Sequence, residues 1–199
     1  RILLGSAVTV LSSDDPIRVF QRFSTLDALS SGRAELTVGR GSFVESFPLF
    51  GYRLDDYDVL FEEKLSLFTA LLEGGPVTWS GMTRPPLDAA RVYPPVESGR
   101  LRTWVGVGGS ATSVTRAARY RLPLMIAIIG GQADRFLPLV ELYRGTLEQD
   151  GVAPLPIGVH SPGHIAETDA EAVEQFWPGY LANVTRIGAE RGWPPPSRL

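Results

Sequence analysis

Apolar and polar positions along this chain switch between two periods, and the switch repeats five times. Ile2-Leu-Leu-Gly-Ser-Ala-Val-Thr-Val-Leu11 is apolar on both faces of an extended segment, the pattern of a parallel strand in a sheet covered by helices. Asp14-Asp15-Pro16 then opens a helix, with an aspartate to cap it and proline in its first turn. Val19, Phe20, Phe23, Leu26 and Leu29 supply its apolar stripe, and Ser30-Ser31-Gly32-Arg33 stops it.

Leu36-Thr-Val38 reads as the second strand, ending at Gly39. A long loop over 41–55 carries Glu45, Phe47, Phe50 and Tyr52. The helix after it is strongly patterned: Tyr57, Leu60, Phe61, Leu65, Phe68, Leu71 and Leu72 recur at threes and fours. Lys64 alone breaks that face, and its stem can lie along it. Residues 76–100 are rich in proline and poor in periodic apolar positions, so they read as an excursion with a small hairpin around Val77-Thr-Trp-Ser-Gly-Met82. Such inserts often shape the mouth of a substrate site.

Strand and helix then alternate again. Leu101–Val107 leads to a short helix over 113–120, and Leu124–Ile129 to a helix over 135–147 with Phe136, Leu139, Val140, Tyr143 and Leu147 inward. Leu155–His160 is the last strand. Thr168-Asp-Ala-Glu171 is a capping box that starts the final helix, which Pro178 is expected to end or kink. Five consecutive strand–helix units call for a parallel sheet with right-handed crossovers. An open doubly wound sheet and an arc of an eight-stranded barrel both satisfy that pattern. A doubly wound dinucleotide site places its glycine-rich turn after the first strand. Here that turn comes later, which favours the barrel.

Length and composition narrow the class. The 199 residues suit one domain, 44% of them hydrophobic and 21% charged. A net charge of −3, with arginines scattered singly, argues against a nucleic-acid partner. The chain has no cysteine, which removes disulfides, thiolate metal sites and thiol nucleophiles and fits a cytoplasmic protein. Its most apolar run, 122–129, is too short to span a bilayer, and no signal peptide is visible.

The candidate chemistry lies at strand ends. Trp104-Val-Gly-Val-Gly-Gly-Ser110-Ala-Thr-Ser113 is a strand, a glycine turn and a helix start with two hydroxyls three residues apart. Free N–H groups at a helix start bind anions, most often phosphate. Gly109 allows close backbone approach; Ser110 and Ser113 add hydroxyl donors. The alternative is an ordinary turn with Ser110 as a helix cap. No lysine follows the glycines, so the segment is not a P-loop. Arg40, between Gly39 and Gly41, places a guanidinium fork at another strand end, for phosphate or for an ion pair with Glu45 or Asp27. Glu62 and Glu63 read as a solvated helix edge. Tyr57 and Arg53 stand near the start of the same helix. His160 and His164 are separated by a Pro-Gly turn, which suits no metal site. His160 ends a strand and can face the rim. Trp79, Trp104 and Trp177 read as packing, whereas Trp193 sits in a rigid Gly-Trp-Pro-Pro-Pro loop suited to a pocket or partner.

These pieces, in this order and spacing, resemble the bacterial luciferase-like family of flavin-dependent monooxygenases. The match is carried by Leu26-Asp-Ala-Leu-Ser-Ser-Gly-Arg-Ala-Glu-Leu-Thr-Val-Gly-Arg-Gly41, Glu45-x-Phe-x-x-Phe-Gly51, Gly109-Ser110 through Ala117-Ala118, and Leu122-Pro-Leu-Met125. The resemblance implies a TIM-type (β/α)8 barrel. The chain would supply about five of its eight units, the third to the seventh, as a single partial-barrel domain over 1–199 with the insert at about 76–100. It would then be part of a longer polypeptide, or pair with a second copy as a homodimer.

The resemblance further implies cofactor-binding roles for Arg40, Gly109, Ser110 and Ser113 at the phosphate of FMN. It puts Ala7-Val8-Thr9 and Met125 near the flavin ring. The implied reaction uses reduced FMN, supplied by an NAD(P)H-dependent flavin reductase, and O2. It oxidises a small organic substrate through a flavin C4a-hydroperoxide. Two alternatives stand beside it: hydride transfer with the deazaflavin F420, and a non-catalytic flavin-binding or assembly protein. The family's catalytic histidine lies on a strand outside these residues, so the catalytic residue is unassigned and no metal is implied. Gly39 stands where luciferase proper has a cysteine, which fits a non-luminescent relative.

Overall fold

The computed structural model describes residues 2–41, 44–130, 132–192 and 194–197. Trp193 and its proposed pocket or partner role fall outside them. The chain forms two compact units, Arg1–His160 and Ser161–Leu199.

The first unit is built on a parallel sheet whose strands lie side by side in chain order. Two short segments, β1 (Leu4–Gly5) and β2 (Thr9–Val10), both pair with β3 (Ala34–Gly39). Then follow β6 (Arg102–Val107), β7 (Leu124–Ala127) and β8 (Ile157–His160). Between β3 and β6 the chain forms a separate antiparallel hairpin, β4 (Val77–Trp79) with β5 (Leu87–Ala90). A doubly wound sheet reverses its strand order at a switch point. This one never does, so the sheet is an arc of an incomplete (β/α)8 barrel.

The helices follow local signals. Asp15 caps α1 (Pro16–Leu29) by accepting the Ile17 and Arg18 N–H groups at 2.9 and 3.2 Å. Tyr57–Leu72 forms α3, after the short α2 (Ser46–Leu49). Ser110 caps α4 (Ala111–Arg119), and Pro138 lies in the first turn of α5 (Leu137–Gln149). Leu36, Val38, Val105, Leu124 and Ile126 alternate along β3, β6 and β7 on the face toward these helices, where they are buried with Val19, Leu65, Phe68 and Val114. Tyr143 is buried too, and its hydroxyl donates to the Leu122 carbonyl at 2.7 Å. Among the described residues no helix is long and apolar enough to cross a membrane.

Several expectations are corrected. Residues 2–11 are two short strand segments rather than one buried strand, and Ile2, Leu3, Leu4 and Val8 are exposed. Their only described strand neighbour is β3, so one side of the pair lacks cover. In α1 the inward face runs through Pro16, Val19, Phe20, Ser24 and Asp27, whereas Leu26 and Leu29 point out, Leu29 at 80% exposure. Asp27 takes the inward place because its Oδ2 accepts the Ser98 N–H at 3.3 Å, tying α1 to the end of the 76–100 excursion. Lys64 does not carry its charge to the surface: its Nζ is 4.0 Å from the Tyr52 ring centre and donates to the Ser12 carbonyl at 2.7 Å.

The second unit is dominated by α6 (Asp169–Arg191), capped by Thr168, whose Oγ1 accepts the Glu171 N–H at 3.2 Å. The helix runs through Pro178 instead of ending there. His164 shares a 2.8 Å hydrogen bond with Gln175 and stacks on Phe176.

Candidate functional site

In a parallel sheet every strand delivers its C-terminal end to the same rim. β3 and β6 are neighbours, with Thr37 opposite Trp104 and Val38 opposite Val105. Continuing that register puts Arg40 beside Val107, so the β3 end and the Gly108-Gly109-Ser110 turn emerge side by side. Strand neighbours are about 4.8 Å apart. The sequence motif named both segments, and the sheet topology makes them adjacent.

The turn is open. Gly109 has φ +133°, a conformation that side chains rarely adopt, and a Cβ on Gly108 or Gly109 would meet nothing within 4 Å. The Ser110 Oγ accepts the Ser113 N–H at 3.4 Å, so the ordinary capping role is real. It does not exhaust the residue, because the hydroxyl proton remains available to donate outward. Ala111 and Thr112 open α4, where helix geometry leaves N–H groups without intrahelical acceptors. Ser113 is buried on the inner side of that first turn.

Arg40 is held on two sides. Its guanidinium lies 4.7 Å from the centre of the Tyr57 ring, and its Nη1 donates to Asp58 Oδ1 at 2.8 Å. Asp58, from the first turn of α3, is a carboxylate partner that the sequence did not point to, and Asp27 instead accepts the Ser98 N–H. Tyr57 in turn packs on buried Phe47 and donates its hydroxyl to the Gly41 carbonyl at 2.8 Å. Burial raises the Tyr57 pKa, with Arg40 opposing the shift. A cavity of about 380 Å³ opens here, lined by Gly41, Val44, Leu54, Tyr57 and Asp58 among others. Arg53 pairs instead with Asp55 in the open.

The acidic pair on α3 is not a solvated edge. Glu62 accepts from Arg116 Nε at 2.6 Å, from Tyr120 at 2.7 Å and from Arg119. Burial pulls its pKa up, but the Tyr120 and Arg116 hydrogen bonds and the Arg119 and Arg116 charges outweigh that and leave it lowered. Glu63 accepts the Met82 and Thr83 N–H groups at 2.7 and 2.8 Å and pins the excursion to α3. Neither role was visible in the sequence. The partners lie from 19 to 58 residues away, and no local period marks them.

The concave sheet face carries the other family-implied positions. Met125 pairs with Gly106 and Gly158, and Ala127 with His160, so these share the face that the helices leave uncovered. Val8 closes one side: a Cβ on Gly106 would come within 3.0 Å of its Cγ1 and 3.3 Å of Thr37. Only glycine lets the chain approach there without moving Val8.

This chain belongs to the luciferase-like monooxygenase family, whose model matches residues 1–193. It is 24% identical over 160 residues to the alkanal monooxygenase alpha chain of Photorhabdus luminescens, 76% of this chain and 41% of that protein. The monooxygenase RslO1 from Streptomyces bottropensis has a similar fold, with a TM-score of 0.80 at 20% identity over 96% of this chain and 58% of that one. So does the oxygenating constituent of 3,6-diketocamphane monooxygenase from Pseudomonas putida, solved with FMN: TM-score 0.75, 18% identity, 96% of this chain and 58% of that one. The chain thus spans well under two thirds of the length of these relatives.

Proposed function

We propose that this chain carries the cofactor-phosphate grip of an FMN-dependent monooxygenase. The observation that carries the reading is the β3–β6 register, which brings Arg40 beside the open Gly108-Gly109-Ser110 turn at one rim. The donor set fits a phosphate monoester. Arg40 offers a charged fork, Ser110 a hydroxyl proton, and the α4 start its free N–H groups and positive dipole end. Gly109 keeps side-chain bulk away from the seat, and Ser113 completes the grip from the first turn of the helix.

Reduced flavin, when bound, supplies the electrons with which O2 oxidises a small organic substrate. The chain's own residues position that cofactor. Val8 and Met125 stand on the concave face and exclude water from the ring. A separate NAD(P)H-dependent reductase delivers the reduced flavin, and the protein works in the cytoplasm.

Titration of the chain with FMN, followed by flavin fluorescence, tests the grip. Saturable binding that Arg40→Ala abolishes supports it; a folded chain that ignores FMN contradicts it. F420 carries a phosphate as well, and a chain that binds F420 but not FMN belongs to the hydride-transfer alternative. Incorporation of labelled oxygen from O2 into product then separates oxygenation from hydride transfer.

A further inference from the structure

One carboxylate oxygen sits between two arginines at the edge of the proposed phosphate seat. Asp58 Oδ1 accepts from Arg40 Nη1 at 2.8 Å, and Arg116 Nη2 lies 3.6 Å from the same atom. The two cations differ from their shared anion in exposure. The Arg116 side chain is only 7% exposed, whereas that of Asp58 is 67% exposed. Arg116 is held in place by Glu62 on its Nε at 2.6 Å and by the Phe61 ring at 5.4 Å. Its Nη1 is nevertheless buried with no hydrogen-bond partner among the described residues.

We infer that Arg116 is a second cation of the phosphate seat and that Asp58 is its resident anion, displaced when the phosphate arrives. The inference rests on the phosphate-grip reading and adds two residues to it. Arg116 stands three positions after Ser113, so both lie on one face of α4, and both are buried there. Long helical side chains lean toward the helix N-terminus, which carries the guanidinium back along the first turn. The fork is prealigned because Glu62 fixes Nε while Nη2 faces Asp58. The Nη1 left without an acceptor marks a charge whose partners in this state do not satisfy it.

Asp58 is suited to leave. It is anchored on an exposed first turn, and an exposed ion pair is weak. A phosphate monoester carries close to two negative charges and three acceptor oxygens against the carboxylate's one charge. Two forks favour the dianion. When Asp58 swings away, Arg40 and Arg116 are released together, so the same carboxylate that orders the seat also limits its affinity. A purely structural role, with Arg116 only tying α4 to Glu62 of α3, makes no such link to the phosphate.

Titration with FMN and with riboflavin, which lacks the phosphate, tests this on the wild-type chain, Asp58→Asn and Arg116→Gln at low ionic strength. Asp58→Asn removes the resident charge from an exposed position. It is expected to tighten FMN binding by about fivefold and to leave riboflavin unchanged. Arg116→Gln is expected to weaken FMN by about tenfold, again without moving riboflavin. Glu62 keeps Arg119 and Tyr120 in that variant, and thermal unfolding reports whether the fold holds. If Arg116→Gln fails to fold, Arg116→Lys, which keeps the charge and loses the fork, takes its place and is expected to weaken FMN without moving riboflavin; FMN affinity left at the wild-type value overturns the role of Arg116. A wild-type preference for FMN that Asp58→Asn leaves unchanged overturns the inference while the phosphate grip stands. A wild-type chain with no preference for FMN over riboflavin overturns both.

Discussion

Arg40 and Asp58, 18 residues apart, meet at 2.8 Å where β3 ends and α3 begins. The contact closes the 41–55 loop at both ends, since Tyr57 also ties its hydroxyl to the Gly41 carbonyl. It stacks the Arg40 guanidinium on the Tyr57 ring, which in turn rests on Phe47. Arg40 is therefore oriented before any ligand arrives, and a preorganised cation loses less freedom on binding.

Ser110 separates helix capping from phosphate binding. Aspartate caps a helix as well as serine does. Ser110→Asp is therefore expected to keep the thermal midpoint of the wild type. It adds a negative charge at the proposed phosphate seat, and FMN affinity is expected to fall by about tenfold or more. Fluorescence titration beside thermal unfolding checks both halves. A variant that binds FMN normally would place the phosphate elsewhere.

Glu62 makes the α3–α4 contact sensitive to acid. Its folded-state pKa lies below the ordinary value of 4.5. Its contribution is thus fully present above that value and is lost as pH falls through the folded pKa. Wild type is expected to lose stability more steeply than Glu62→Gln below about pH 4.5, and the two curves to run parallel above it. Denaturant unfolding across that range measures the difference. Part of Glu62 is exposed, so the effect is expected to be modest.

These contacts mark how far the sequence could be read. The cap at Asp15, the stripe of α3 and the glycine–serine turn are local patterns, and each appeared where the sequence put it. The count and order of strand–helix units allowed a doubly wound sheet as well as a barrel arc; the late position of the glycine turn and the family resemblance pointed to the arc, and the unreversed strand order bears it out. Asp58, Arg116 and Glu62 were not legible as a group because their meeting depends on how α3 and α4 pack. Leu26 and Leu29 misled for a related reason: their spacing fits a stripe, but Asp27 had a tertiary partner and took the inward face.

Tyr143 supplies a test of the core. Burial raises its pKa to about 12. Stability from the protonated hydroxyl is complete below the ordinary value of 10.0 and is lost as pH rises toward about 12. Tyr143→Phe leaves the Leu122 carbonyl without its donor and is expected to cost about 1–2 kcal/mol at neutral pH. Its deficit relative to wild type should shrink above pH 10.0, where the tyrosine of the unfolded chain begins to ionise while the folded one stays protonated. A deficit that stays constant would mean that burial does not raise the Tyr143 pKa.

A crystal structure of the chain with FMN would show where the phosphate sits. The phosphate is expected within hydrogen-bond distance of the Arg40 guanidinium, the Ser110 hydroxyl and the first N–H groups of α4. A phosphate bound away from that rim, with Arg40 and Ser110 untouched, would contradict it.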